Sequence, residues 1–252
     1  MRLVVLSDAH VAPPGAPPVH DIDTNAQLET AVKRLAGLRP APDFVVHLGD
    51  LTNEPSAEAY AEFDRLTGAL PLPQFHVWGN HDDGAMLTRA LSSPAIVEPV
   101  GAPAGYYLFA WGSVQVIVLN SNGPVLDGGG AVDAAQLEWL NGVLASRSGE
   151  PALVFVHHPA HAIGIAWIDR VRLQNADEVL AILSRHDGIL RLFSGHVHRR
   201  TSATLGGIAS ETVLSTAFSL GPDHANPIVD ADRGFVIVDV HGDTVGTTDV
   251  LV

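Results

Sequence analysis

Five separated points along this 252-residue chain end a short apolar run in residues able to bind a metal or move a proton. Leu3–Leu6 leads into Ser7-Asp8-Ala9-His10, Phe44–Leu48 into Gly49-Asp50, and Phe75–Trp78 into Gly79-Asn80-His81-Asp82. Further on, Leu153–Val156 leads into His157-His158-Pro159, and Leu190–Phe193 into Ser194-Gly195-His196-Val197-His198. One such residue alone is usually a cap or a turn. Five together point to a single site, because the carboxyl ends of strands in open α/β sheets meet at one rim. The chain has no cysteine, which excludes disulfides, thiolate zinc sites, iron–sulfur clusters and Cys nucleophiles. Any metal must be held by N and O donors, and this mixture of imidazole, carboxylate and amide suits borderline divalent ions such as Fe, Mn, Zn or Co. One carboxylate can span two such ions about 3.5–4 Å apart. In extended backbone, residues i and i+2 share a face, which would bring Asp8 with His10, and His196 with His198, to the same cluster. The glycines before Asp50, Asn80 and His196 imply a positive φ or a close backbone approach.

The elements that must position these residues are legible from pattern. The runs above, with Val114–Leu119, Thr212–Leu214 and Phe235–Val238, read as buried strands from their Val, Ile and Phe content and the turn residues beside them. Helical spacing occurs in Ala26–Leu38, where Leu28, Val32, Leu35 and Leu38 share a face, and in Ala57–Leu66 behind a Ser56 cap. Ala134–Leu144 after Asp133, and Asn175–Leu183, are two more helices. The alternation predicts βαβ units in the first half and around 150–195, while 97–120 and the C-terminal stretch are strand-rich, so the sheets should be mixed. Neither Ala12–Pro18, read as a loop near the site, nor Gly128–Gly130, read as a flexible surface turn, marks a boundary. Residues 1–252 are therefore expected to form one domain.

Composition narrows the partners. With 14 Lys+Arg against 28 Asp+Glu the formal charge is −14, which argues against binding a nucleic-acid polymer or an anionic membrane. It leaves room for a small phosphate substrate where bound metal inverts the local field. The 46% apolar content argues against disorder. No apolar run is long enough to span a bilayer, and the segment Met1–Asp8 meets a charge too early for a signal peptide, so the expected location is cytoplasmic.

In order, the five blocks resemble the calcineurin-like metallophosphoesterases, whose pattern is D-x-H, G-D-x-x-[ND], G-N-H-[ED], a later H, and G-H-x-H. The resemblance covers about residues 3–200. Gly49-Asp50-Leu51-Thr52-Asn53, His157-His158-Pro159 and the segment Gly164–Arg170 look like the bacterial class III cyclic-nucleotide and glycerophosphodiester phosphodiesterase branch. The implied fold is a four-layer α-β-β-α sandwich of two mixed β-sheets flanked by helices, with a dinuclear metal centre at one rim. On that pattern Asp8, His10, Asp50 and His198 would hold the first ion, and Asp50, Asn80, His157 and His196 the second, with Asp50 bridging. The implied reaction is hydrolysis of a small phosphodiester, cyclic nucleotide or glycerophosphodiester, by metal-activated hydroxide, with His81 beside the leaving oxygen. Asp50 and His81 are thus the expected catalytic residues. A phosphomonoesterase or nucleotide pyrophosphatase of the same superfamily is the alternative, and a non-catalytic metal-binding scaffold a further one, against which the complete ligand set speaks. Glu54 stands where the protein phosphatases carry an Arg, which favours a diester over a phosphoprotein.

The remaining polar residues divide less sharply. Asn80, His81, His161 and Trp167 are the expected substrate contacts, the last two on a loop with Asp169 and Arg170 that would overhang the site; a core anchor is the other reading of Trp167. Asp82 should support the ligands or start a helix, Asn53 should support them, and His158 should be structural rather than a ligand. His20, His47, His76, His186, His224 and His241 match no block and read as structural or solvated, and Tyr106, Tyr107 and Phe109 as packing. The apparent lack of a large cap predicts an open pocket with loose substrate choice. Thr204–Val252 is expected to do no more than complete the second sheet, and a homodimer is compatible with the analogy.

Overall fold

Alternation along the first strand sets the layering. In β1 (Arg2–Leu6), Leu3 and Val5 face one way and Val4 and Leu6 the other, and all four are buried because both faces of the sheet are covered. The computed structural model describes residues 1–90, 105–123, 125, 128–229 and 231–252; the 97–104 part of the expected strand-rich stretch lies outside the described residues. β1 runs parallel to β2 (Phe44–Leu48), and β2 to β3 (Gln74–Val77), with Leu3 opposite Phe44 and Val46 opposite Phe75. On the other side of β1 lie β12 (Gly234–His241) and β13 (Thr244–Leu251), both antiparallel to their neighbours, giving a five-stranded mixed sheet.

The second sheet has six strands in the order β4 (Tyr107–Trp111), β5 (Val114–Leu119), β6 (Ala152–Val156), β7 (Ile189–Ser194), β9 (Ile208–Thr212) and β8 (Ser202–Leu205). β5, β6, β7 and β9 are parallel, and β4 and β8 close the edges antiparallel. A small hairpin joins β10 (Ser219–Leu220) to β11 (Ile228–Val229).

Between the sheets Leu3, Val5, Phe44 and Val46 meet Val116, Val118, Phe155 and Phe193. On the outside of the first sheet Leu28 of α1 (Thr24–Ala36), Tyr60 and Phe63 of α2 (Ala57–Thr67), and Leu87 of α3 (Gly84–Ala90) pack against Val4, Leu6 and Val45. On the outside of the second sheet Leu140 of α4 (Ala134–Ser146) and Val179 of α6 (Ala176–Leu183) pack against Ile117, Val154 and Leu192. Each of these wholly buried side chains contributes roughly 1.5–3 kcal/mol. The four layers are those expected. α5 (Ala166–Asp169) is a single turn in the connection after β6. Ser56 and Asp133 accept backbone N–H bonds from Ala59 and Gln136 and so cap α2 and α4; Asn175 instead brackets the backbone of Val132.

Three expectations are corrected. β9 ends at Thr212, and the chain then crosses between the sheets, Val213 donating to the Ser194 carbonyl and Thr216 to that of Ser7. The segment after residue 204 serves both sheets: β8 and β9 finish the second, whereas β12 and β13 extend the first, because Val236 and Val238 supply the inter-sheet face and Phe235 and Ile237 the helix-covered face. Of the triple glycine only Gly128 is an exposed turn. Gly129 and Gly130 are buried, and a Cβ on Gly130 would lie 2.3 Å from the His158 ring.

Candidate metal centre

β1, β2, β3, β6 and β7 all lie in the parallel portions of their sheets, and the five polar endings gather where these strands finish. The backbone there is left-handed rather than extended: φ is 52° at Asp8, 45° at His10, 50° at Asp50, 68° at His196 and 49° at His198. Non-glycine residues in this region cost about 1–3 kcal/mol each and persist only where surrounding bonds hold them. Those bonds are present: Asp8 N–H donates to Gly49 O and His10 N–H to Asp50 O at 3.0 Å, and Gly195 N–H to His157 O at 2.9 Å. The i, i+2 pairs therefore converge through paired left-handed turns, not through extension. The preceding glycines act as expected. Gly49 has φ of +91°, and a Cβ on Gly79 would lie 2.1 Å from Asp50 Oδ1 and one on Gly195 2.2 Å from Ser7 Oγ.

The donor atoms face one another in a way that needs a cation. His198 Nδ1–H donates to Phe218 O at 2.8 Å, so its Nε2 lone pair points at Asp8 Oδ1, 3.3 Å away, and at His10 Nε2, 3.1 Å away. Likewise His157 Nδ1–H donates to Leu48 O at 2.9 Å, leaving Nε2 against Asp50 Oδ2 at 3.3 Å and Asn80 Oδ1 at 3.2 Å. His10 Nε2 lies 3.7 Å from the same Asp50 oxygen. Acceptors so placed repel unless a proton or a metal ion lies among them. Asp8, His10, Asp50 and His198, all buried, have donor atoms within 4.8 Å of one another, and His157 and His196 share a second such group with His158. This donor set fits divalent ions. His158, however, has both nitrogens engaged, Nδ1 with Ser121 Oγ at 2.7 Å and Nε2 with Gly128 O at 3.1 Å.

Without metal, protonation follows the same geometry. Burial opposes charge on His157, yet Asp50 outweighs it and raises the imidazole to about 9. Burial likewise opposes ionisation of Asp50, but His157 with His10 and His81 holds its carboxyl well below the usual range. His10, with less favourable company, is pushed by burial down to about 3, and His196 by burial and its histidine neighbours well below its ordinary value.

Neighbouring groups hold the donors still. Asp8 accepts from Ser7 Oγ at 2.5 Å and from His196 N at 3.1 Å, and Asp50 Oδ1 accepts from His81 N at 2.9 Å. Asp82 ties the turns after β2 and β3 together by accepting from the backbone of Gly79 and Leu51; burial and the Asp50 charge raise it to about 7. Asp83, not Asp82, starts α3, accepting from Met86 N. Asn53 acts through its backbone: its carbonyl receives His81 Nδ1–H at 2.7 Å, which turns His81 Nε2 free of that bond beside the donors.

His10, Asp50, Asn80, His81, His196 and His198 line a cavity of about 220 Å³, whose other wall is apolar: Trp167, Val171, Phe218, Leu220 and Ile228. Trp167 is brought to it, half-buried, with Nε1–H donating to Gly221 O at 3.1 Å. His161 is not. It is buried behind the loop with its ring nitrogens bonded to Ser210 in β9 and Thr201 just before β8, two hydroxyls at 2.9 Å. Asp169 folds its own loop by accepting from Ile163 and Gly164. Glu54 is exposed and does not line the cavity, whose described lining contains no Lys or Arg at all.

A sequence profile of the family described as calcineurin-like phosphoesterase matches residues 1–200. The chain belongs to that family. Among curated calcineurin-like relatives it is similar to a 3′,5′-cyclic-nucleotide phosphodiesterase of Nostoc sp., 28% identical over 79% of this chain and 72% of the relative. It is 31% identical to a glycerophosphodiester phosphodiesterase of Enterobacter lignolyticus over 80% of this chain and 72% of that protein. A 3′,5′-cyclic adenosine monophosphate phosphodiesterase of Escherichia coli K12 is 25% identical over 99% of this chain and 89% of its own. Among solved structures a dimetal phosphatase from Danio rerio superposes with a TM-score of 0.76 at 17% identity, covering 99% of this chain and 95% of that one, which establishes a shared fold.

Two parts of this calcineurin-like site escaped the sequence reading. Residues 213–229 carry the Phe218 carbonyl that orients His198 and much of the apolar wall. Phe218 also stacks on His10, with ring centres 5.2 Å apart. His20, read as structural or solvated, lines the cavity. No local spacing signals either, since both reach the rim through loops that follow tertiary contacts.

Proposed function

We propose that this chain is a metal-dependent phosphodiesterase acting on small diesters of the cyclic-nucleotide or glycerophosphodiester type through two divalent ions of the Fe, Mn, Zn or Co class. The observation that carries the reading is the convergence of acceptor lone pairs on Asp50, beside a cavity whose described lining offers phosphate no Lys or Arg. Asp8, His10, Asp50 and His198 are assigned to one ion, and Asp50, Asn80, His157 and His196 to the other. When bound, the ions lower the pKa of water toward neutrality and neutralise charge on the phosphoryl oxygens.

The chain's own residues supply the rest. Asp50 holds its carboxylate ionised against burial, and the His81 backbone N–H fixes one of its oxygens. His81, oriented by the Asn53 carbonyl, presents Nε2 to the leaving oxygen, and in its imidazolium form, with a proton on each ring nitrogen, it keeps the Nδ1–H bond to Asn53 and gives up the Nε2 proton as the P–O bond breaks. A monoester carries one more negative charge than a diester, and no Lys or Arg in the described lining compensates for it. This supports a diester over the phosphomonoesterase and pyrophosphatase alternatives.

The proposed setting is the cytoplasm, with residues 1–252 acting as one unit, as a monomer or homodimer, on substrates other than nucleic-acid polymers or membranes. The charge of −14 supports that choice, and no helix among the described residues is long and apolar enough to cross a membrane. The test is hydrolysis of bis(p-nitrophenyl) phosphate and p-nitrophenyl phosphate by metal-stripped protein with Mn, Zn, Fe or Co restored. Restored turnover with the diester well ahead supports the reading; a preference for the monoester, or no turnover with either, overturns it.

A further inference from the structure

His20 occupies an unusual backbone. It and Asp21 are the central residues of a turn closed by Ile22 N–H donating to Val19 O at 2.9 Å, with φ of 51° at His20 and 63° at Asp21. A two-residue turn with positive φ at both centres is made most easily by Asn-Gly or Gly-Gly. Among the described residues the other non-glycine positions with positive φ are Asp8, His10, Asp50, His196 and His198, every one a proposed metal ligand. The turn is anchored rather than loose: Val19 is buried in a small apolar cluster with Ala217 and Phe218, and Ile22 packs on it.

This anchoring places the imidazole at the cavity. Its ring meets Phe218 edge-on at 5.4 Å, and Phe218 in turn lies 5.2 Å from the His10 ring and 4.7 Å from that of His198. His20 thus stands one aromatic ring outside the donor cluster, and it belongs to neither group of converging metal donors. A group at that remove is placed for what is attached to phosphorus, not for the phosphoryl oxygens. Apart from the proposed ligands, the polar side chains of the described lining are His20, Asn53, His81 and the Trp167 indole, whose N–H is already bonded. His81 is tied at Nδ1, whereas His20 is exposed at the mouth.

We propose that His20 is a specificity-determining residue that hydrogen-bonds the alcohol substituent of the diester, selecting an uncharged, ring-bearing substituent with its own hydrogen-bonding group. The apolar wall of Trp167, Leu220 and Ile228 covers the ring, and His20 takes the polar edge. This rests on the proposed diesterase activity. The step itself is unchanged: water adds to phosphorus, the leaving alcohol departs, and His20 transfers no proton.

The test compares two substrates with the same p-nitrophenolate leaving group, the p-nitrophenyl diester of thymidine monophosphate and methyl p-nitrophenyl phosphate, on metal-loaded wild type, His20→Gly and His20→Asn. Glycine relieves the turn, so His20→Gly is expected to melt no lower than wild type and to hold the same metal content. The expected result is a fall of about tenfold in the thymidine-to-methyl ratio of kcat/KM in His20→Gly, carried by KM, with partial recovery in His20→Asn. An unchanged ratio overturns the proposal, as does an equal fall on both substrates, which would place His20 on the phosphoryl group. Failure of the wild type to hydrolyse either diester would instead overturn the activity on which the proposal rests.

Discussion

His47 and His157 are both wholly buried imidazoles with one ring nitrogen on a neutral carbonyl oxygen, that of Gln74 for His47 and that of Leu48, the residue after His47, for His157. Their chemistry is opposite. Burial lowers His47 to about 4, because the bond to the neutral Gln74 amide only partly offsets the loss of water. His157 rises to about 9 because Asp50 overrides the same burial. The residue type and depth are shared, and what differs is the facing carboxylate. A buried histidine becomes part of a cation site only when a second acceptor is built against its lone pair.

Asp50→Asn is the strongest way to break the contrast. It leaves His157 in surroundings like those of His47, so bound metal by elemental analysis should fall and diester turnover should drop by about a thousandfold or more. His47→Phe, by contrast, should retain both. If Asp50→Asn keeps its metal and activity, the bridging assignment is wrong.

His81→Ala separates catalysis from metal holding. Turnover is expected to fall by about 10²–10⁴-fold with metal content unchanged, and loss of metal in this variant would reassign His81 to the ligands.

In metal-stripped protein the two histidines should give stability slopes of opposite sign. His157 is raised above its unfolded value of about 6.5, so its contribution is fully present below that pH and is lost as pH rises through about 9. His47 is lowered, so the unfolded chain takes up its proton first and stability falls as pH drops from about 6.5 to about 4. Each limb can reach about 1.4 kcal/mol per pH unit in chemical denaturation. Asp50→Asn should flatten the alkaline limb. His47→Phe should shallow the acid limb, which His10, His76 and His196 share. The opposite assignment of limbs to variants would sink the comparison.

The smallest effect marks what charge pairing does near water. Arg2 and Asp239 join β1 to β12 through two bonds of 2.7 and 2.8 Å, with each side chain 27% exposed. Arg2→Met should cost about 1 kcal/mol or less and become milder in high salt, with turnover unaffected.

Much of this site could be read from the chain because strand ends are local features: an apolar run, a glycine, then Asp, Asn or His. The same locality made the four helices with apolar stripes and two of their caps legible. Three things were not. Left-handed backbone at Asp8 and His10 is enforced by bonds to Gly49 and Asp50, some forty residues away in sequence, so the i, i+2 spacing was read correctly for the wrong reason. The placement of β12 beside β1 depends on which sheet has an open edge, which alternation cannot say. His161 and His20 exchanged expectations, one buried on the hydroxyls of Thr201 and Ser210 and one lining the cavity, because each is placed by loops whose course is set by packing.

The 188 positions between His10 and His198, whose ring nitrogens lie 3.1 Å apart, also set a schedule. At about 5–20 residues per second of synthesis, roughly ten to forty seconds separate the emergence of the first histidine from that of the last. Asp8, His10 and Asp50 precede His198 by about 150 residues or more, so on their own they are an incomplete donor set. The full set of donors exists only once both sheets have closed, so the choice of metal belongs to the finished protein and to the ions it meets after release.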